Sequence, residues 1–227
     1  MSMNTFTERR ARLAQTLREA GGGLAVIRTA PERPRNADSD HPYRHDSSFH
    51  YLTGFDEPGA WLLLDSEGRS TLLCRERNAE REIWDGRRLG PEAAPAALGV
   101  QEAFDIAALD TLLPERLANQ AAVWFPFGVE AHLQPQIEGW LGNVRARERM
   151  GVMSPAAMRD LNPLLAEMRL IKDAGETRAA ARLRSRIRAR CRSARPQNAA
   201  RKSASHGHGH RPRWWRRGAW WLARRHP

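Results

Sequence analysis

The sequence predicts an α/β layered domain over residues 1–177, followed by a basic, disordered tail over residues 178–227. Three observations carry this. Short apolar runs alternate with helix-spaced amphipathic segments as far as Leu170, the pattern of strands and helices packed in layers. No apolar stretch approaches the ~18–20 residues of a membrane span, and the run Gly59–Leu64 reads as a buried strand. Carboxylates stop at Glu176: from Arg178 onward the chain carries 16 of its 37 Lys and Arg and none of its 26 Asp and Glu.

In chain order, Phe6, Leu13, Ala14 and Leu17 share helical spacing over 5–20, and Gly21-Gly22-Gly23 stops that helix. Leu24–Ile27 is a short apolar strand. Residues 30–46, rich in Pro, Asp, Asn, Arg and His, read as a long loop. Phe49–Thr53 alternates and ends at Gly54, which predicts a strand. Residues 60–65 and 70–74 flank the turn Ser66-Glu67-Gly68-Arg69 as a hairpin. A helical turn is expected over 79–84, and helices over 91–98, 105–119, 134–141 and 161–170, with a strand over 121–127. The tail alternates Arg182 through Arg192 with small or apolar residues, then runs through His206, His208, His210 and two Trp-Trp pairs. It lacks the apolar content to offset chain entropy.

The formal net charge of +11 belongs to the tail, since the first 177 residues hold 21 basic and 26 acidic side chains. Such asymmetry marks either a nucleic-acid-binding arm or a segment foreign to the body. Cys74 and Cys191 show no paired spacing, which argues against a disulfide framework or zinc ribbon and fits a reducing cytoplasm. Residues 1–20 have no apolar core of a signal peptide. No Ser/His/Asp or Cys/His arrangement and no phosphate-binding glycine loop is legible. His41, His45 and His50 fall within ten residues, but their spacing crosses a proline and fixes no common face, so metal ligation is the weaker reading.

Three motifs carry a resemblance. The first is Arg35-Asn36-Ala37-Asp38, then Pro42-Tyr43-Arg44, Phe49-His50-Tyr51-Leu52-Thr53-Gly54-Phe55 and Glu57-Pro58. The second is Glu82-Ile83-Trp84-Asp85-Gly86-Arg87-Arg88-Leu89-Gly90, preceded by Glu76 to Arg81. The third is Glu167 to Glu176. In this order and spacing they resemble the amino-terminal domain of the Xaa-Pro aminopeptidase (aminopeptidase P) family, over about three quarters of the chain. The resemblance implies a three-layer mixed-sheet domain of the creatinase/prolidase/aminopeptidase P type, ahead of a larger catalytic domain. That catalytic domain would hold two Mn2+ through two Asp, one His and two Glu, and release the residue before proline by a metal-activated water.

No carboxylate follows Glu176, so the expectation is that this chain contributes no metal ligand and no catalytic residue. The tail's Arg, Ala, Gly, Pro, His and Trp bias leads to the expectation that it is an out-of-frame translation or a wrongly placed gene end, so that the catalytic domain is lost by frameshift or truncation. By resemblance Trp84 reaches toward a neighbouring subunit's active-site mouth; the alternative is a tryptophan packed on its own domain. Asp38, Tyr43 and Arg44 either border the substrate cleft or subunit contact, or satisfy buried backbone groups of their loop, the more ordinary role. Partners implied are a second copy or a full-length homologue, a peptide substrate in the intact enzyme, and non-specific nucleic acid through the tail.

Overall fold

The computed structural model describes residues 3–204. The chain divides into two compact units, Met1–Lys172 and Asp173–Pro227, and the third motif spans the division.

The first unit is built on six strands: β1 (Leu24–Arg28), β4 (Trp61–Asp65), β5 (Ser70–Cys74), β6 (Glu102–Asp105), β7 (Ala122–Phe125) and β8 (Ala157–Asp160). They form one mixed sheet in the order β6-β5-β4-β1-β7-β8. Antiparallel pairing links β1 to β4 and β4 to β5, while β5/β6, β1/β7 and β7/β8 run parallel. Strand residues alternate between two cores. On one face Ala25, Ile27, Leu62, Leu64, Leu72 and Cys74 pack against Leu13 and Leu17 of α1 (Met3–Glu19), with Phe49 and Leu52 of α2 (Ser47–Thr53). Ala94 of α4 (Gly90–Leu98) and Leu165 of α7 (Asn162–Leu170) complete that layer. On the other face Val26, Leu63, Leu73 and Val123 meet Leu113 and Leu117 of α5 (Leu109–Leu117) and Ile137, Trp140 and Val144 of α6 (Leu133–Arg145). Helices therefore cover both sides of the sheet, the three-layer arrangement expected from the resemblance.

Polar anchors fix the helices to this frame. Trp140 donates its indole N–H to Asp110 at 2.9 Å and meets Trp61 edge-on, with ring centroids 5.6 Å apart. Arg9 and Arg10 of α1 are buried, and their guanidiniums reach carbonyls at helix C-termini, where cations satisfy orphan acceptors. Arg9 donates to Tyr51 O at 2.8 Å; Arg10 donates to Leu52 O at 2.9 Å and Leu98 O at 3.0 Å. Burial lowers the Arg10 pKa to about 10. Gly23 lies at φ 122° with its α-carbon against the Ala122 carbonyl, so a side chain would collide with backbone as β1 enters beside β7.

Several expectations need correction. Residues 49–53 form helix, not strand. Asp46 caps α2 by accepting from Ser48 N at 2.9 Å and Phe49 N at 2.8 Å, and Gly54 closes it at φ 71°. The loop at 30–46 carries a small hairpin, β2 (Pro34–Asn36) with β3 (Ser39–Asp40), turned at Ala37, φ 45°. The helix expected over 105–119 is preceded by β6, opens with a 3-10 turn at Ile106–Ala108, and becomes α5 only at Leu109. Strands β6 and β8 have no counterpart among the expected elements.

In the second unit α8 (Ala174–Ala204) replaces the disorder expected from residue 178 up to 204. Ala and Arg are among the best helix formers, so intrinsic propensity supports a helix where no core exists. Asp173 and Glu176 start it with reciprocal bonds, Asp173 N to Glu176 Oε2 at 3.0 Å and Glu176 N to Asp173 Oδ1 at 2.8 Å, a capping box. His206, His208, His210 and the Trp-Trp pairs lie outside the described residues.

Candidate functional site

The first two motifs meet at one end of the sheet. Tyr43, half-buried, sets the loop that carries the first. Its Oη lies 2.8 Å from Thr29 Oγ1, just after β1, and donates toward Ala30 O at 3.2 Å and Glu57 O at 3.3 Å. Burial, with the charges of Glu32, Asp46 and Asp56, raises the phenol pKa, while the Thr29 bond opposes the rise.

Glu57 joins the second motif to the first. Its Oε1 accepts the Leu89 N–H at 2.8 Å, immediately before α4. Burial raises the Glu57 pKa against the lowering effects of the Leu89 bond and Arg88. Between β5 and α4 the chain makes one short helix, α3 (Glu82–Asp85). Arg77 braces it with a forked pair to Glu82, Nε to Oε1 at 2.6 Å and Nη2 to Oε2 at 3.3 Å. Each group favours the other's charged form, raising the Arg77 pKa and lowering that of Glu82. Arg75 pairs with Glu32 at 2.9 Å, tying this segment to the 30–46 loop.

A cavity of about 600 Å³ opens between the hairpin, the β5–α3 segment and the 3-10 turn, lined by Asp40, Arg75, Arg77, Glu82, Arg88 and Asp105. Its lining mixes both charge signs. Among the described residues lining it there is no Ser, Cys, Thr or Lys to act as a nucleophile beside a base.

Of the four residues that the motifs mark, Tyr43 has the anchoring role just described. Asp38, at the hairpin turn, and Arg44 are exposed. Trp84 is 85% exposed and its neighbour Ile83 82%, so Trp84 does not pack on its own domain. The structure does not gather the four into one network. It does gather His45 and His50, whose rings stack at 4.0 Å. The His50 pKa is lowered, by burial first and then by His45. A strand over 49–53 hides that pairing; the Asp46-Ser47-Ser48 run is the helix-start signal that would reveal it. Glu57, Arg77 and Glu82 lie in the quoted motifs, but their partners are not read from the sequence: Glu57 meets Leu89 across 32 positions, and Arg77 meets Glu82 across five.

Cys74 is buried in β5, and burial pushes its thiol up to about 12, so it is no nucleophile. Among the described residues no three His, Cys, Asp or Glu are grouped to hold a metal ion. The donor set therefore does not fit a dinuclear carboxylate centre, and no metal-dependent step is assigned to these residues. No described helix is long and apolar enough to cross a membrane.

The family model described as aminopeptidase P, N-terminal domain, matches residues 6–124. The chain belongs to the aminopeptidase P family. It is 38% identical over 180 residues to the Xaa-Pro aminopeptidase of Escherichia coli, and 37% identical over 176 residues to that of Haemophilus influenzae. These alignments take in 78% and 76% of this chain but 40% and 38% of the relatives. Among solved structures, the low-pH form of E. coli aminopeptidase P superposes with a TM-score of 0.72 at 38% identity, covering 77% of this chain and 40% of that one. Pseudomonas aeruginosa aminopeptidase PepP gives 0.73 at 34% identity, covering 78% and 40%. The chain thus spans about two fifths of the aminopeptidase P proteins it matches, and the matched part is their amino-terminal domain.

Proposed function

We propose that this aminopeptidase P amino-terminal domain serves a manganese-dependent Xaa-Pro aminopeptidase by subunit assembly and by shaping access to the cleft, and supplies no catalytic group itself. The observation that carries this is the exposure of Ile83 and Trp84 together on α3. Two large apolar side chains standing in water on a braced helical turn are anchors of an interface, where buried aromatics dominate binding. The brace from Arg77 to Glu82 and the link from Leu89 to Glu57 hold that turn at a fixed place on the domain. In this reading Trp84 reaches the cleft mouth of a neighbouring copy or a full-length homologue. Asp38 and Arg44, exposed at the same end of the first motif, border the peptide's path.

The activity of the whole enzyme would be release of the residue ahead of proline, with Mn2+ held outside the described residues. A cytoplasmic location accompanies this reading, supported by the free, buried Cys74 thiol.

Two measurements test it on the purified 227-residue chain. Sedimentation velocity is expected to show a concentration-dependent oligomer that Trp84→Ala dissociates; a monomer at every concentration defeats the assembly role. Release of the leading residue from an Xaa-Pro-Xaa tripeptide with added Mn2+ is expected to be absent. Robust release that a chelator abolishes would mean that side chains of this domain hold the metal and that its role is catalytic.

A further inference from the structure

The second unit carries charge that the peptidase reading leaves unused. Residues 178–204 hold ten Lys and Arg and no Asp or Glu. Within the first turns of α8, every side chain from Thr177 to Arg190 is exposed. Arg178, Arg182, Arg186 and Arg190 recur every fourth residue, so at 100° per residue they form one stripe drifting across an arc of roughly 120°. Arg184 and Arg188 form a second stripe on the far side of Leu183 and Ile187.

Like charges four residues apart oppose helix formation. Here the sequence offers no carboxylate beyond Glu176 to relieve them, and the residue four beyond Glu176 is Ala180. The capping box at Asp173 and Glu176 nucleates the helix, but past its first turn α8 has no acidic side chain of its own to balance the arginines. We infer that α8 is a phosphate-binding helix whose ligand is duplex nucleic acid, bound without sequence preference.

Charge complementarity selects that ligand. The stripe places a guanidinium about every 6 Å along the axis, against a duplex that presents one negative charge per ~1.7 Å. Nine of the ten basic residues are Arg, whose planar fork engages phosphate oxygens in pairs. A helix ~10–12 Å across fits a major groove ~12 Å wide. A membrane surface is the poorer fit. A helix that lies in the lipid interface needs a broad apolar face, and the exposed part of α8 offers two large apolar side chains, Leu183 and Ile187. Duplex binding is independent of the peptidase lineage and of the assembly role proposed for α3.

The test uses the full chain and a fluorescein-labelled duplex of ~20 base pairs, with anisotropy read from ~50 to ~200 mM KCl. Binding is expected in the micromolar range at low salt, with log affinity falling steeply against log salt, by about 0.9 per phosphate engaged. The double variant Arg182→Glu/Arg186→Glu is expected to weaken binding at least ~10-fold and flatten the slope by about 2. These replacements place carboxylates four residues from Arg178 and Arg190, which favours the helix, so far-UV circular dichroism should show helicity kept or raised. Arg145→Glu on α6, also exposed, is the control and should leave binding unchanged. The inference is overturned by absent binding, by salt-independent binding, by equal losses in the control and the double variant, or by binding to phosphatidylserine vesicles without binding to the duplex.

Discussion

Glu57 accepts the backbone N–H of Leu89 at 2.8 Å, although 32 positions separate them. The same residue's carbonyl accepts from Tyr43 Oη at 3.3 Å. One residue thus holds both motifs at the end of the sheet, through its side chain on one side and its backbone on the other.

That contact predicts a pH dependence with a definite sign. Burial raises the Glu57 pKa in the folded state above its ordinary value of 4.5. Its protonated form is therefore favoured by folding, and its contribution to stability is fully present below pH 4.5 and is lost as pH rises through the raised value. Glu57→Gln keeps an oxygen acceptor for Leu89 and removes the titration. The melting temperature of the variant, measured against the parent, is expected to compare more favourably at about pH 7 than at about pH 4. A difference that does not change between the two pH values would show that burial does not govern this carboxyl.

Tyr43→Phe tests whether the loop is held by the phenol oxygen or by the ring. The substitution leaves the ring and removes contacts to Thr29 Oγ1, Ala30 O and Glu57 O. Losing them should cost about 1–2 kcal/mol, read from urea denaturation with an unchanged m-value. The site is half-buried, so water can replace part of what is lost and the lower end is expected. No measurable change would mean that the ring alone sets the loop.

The α2 cap accounts for a strand-like sequence that folds as helix. Phe49, Tyr51 and Thr53 alternate with His50 and Leu52 as strand residues do, yet Asp46 supplies two backbone N–H groups with an acceptor and the segment becomes helix. Asp46→Ala should cost about 1 kcal/mol and speed amide exchange at Ser48 and Phe49 before the rest of the domain. Asp46→Asn, which keeps a capping oxygen, should recover most of it.

What is legible in the sequence follows where each element's stability comes from. Strands β4 and β5 are buried along their length, and their apolar runs flanking Ser66–Arg69 announce the hairpin locally. Helix α1 shows its core face through Leu13 and Leu17, and Gly21 marks its end. By contrast β6 and β8 read Glu-Ala-Phe-Asp and Ala-Met-Arg-Asp, sit at the two edges of the sheet, and owe their conformation to pairing with β5 and β7. The three motifs are legible as a resemblance, and Tyr43 and Trp84 with them. The Glu57–Leu89 bond is not, because it depends on how the chain returns to the same end of the sheet. The Arg77–Glu82 pair spans only five residues, and it and the exposure of Trp84 follow from the path of the segment between β5 and α4, which no periodicity announces.

Cys74 gives a prediction that separates burial from chemistry. It lies fully buried in β5, with its thiol pushed up to about 12 by burial and, to a smaller extent, by Glu57 and Asp105. The thiolate is the reactive form, so at about pH 8 both access and ionisation oppose attack. In a Cys191→Ala background, a disulfide-exchange reagent such as DTNB should leave the native protein unmodified over minutes and label one thiol at once in ~6 M guanidinium chloride. Because reaction must await opening of β5, the labelling rate in intermediate denaturant should track global unfolding. Rapid labelling without denaturant would show that β5 opens locally, and that the sheet is less cooperative than its two packed faces imply.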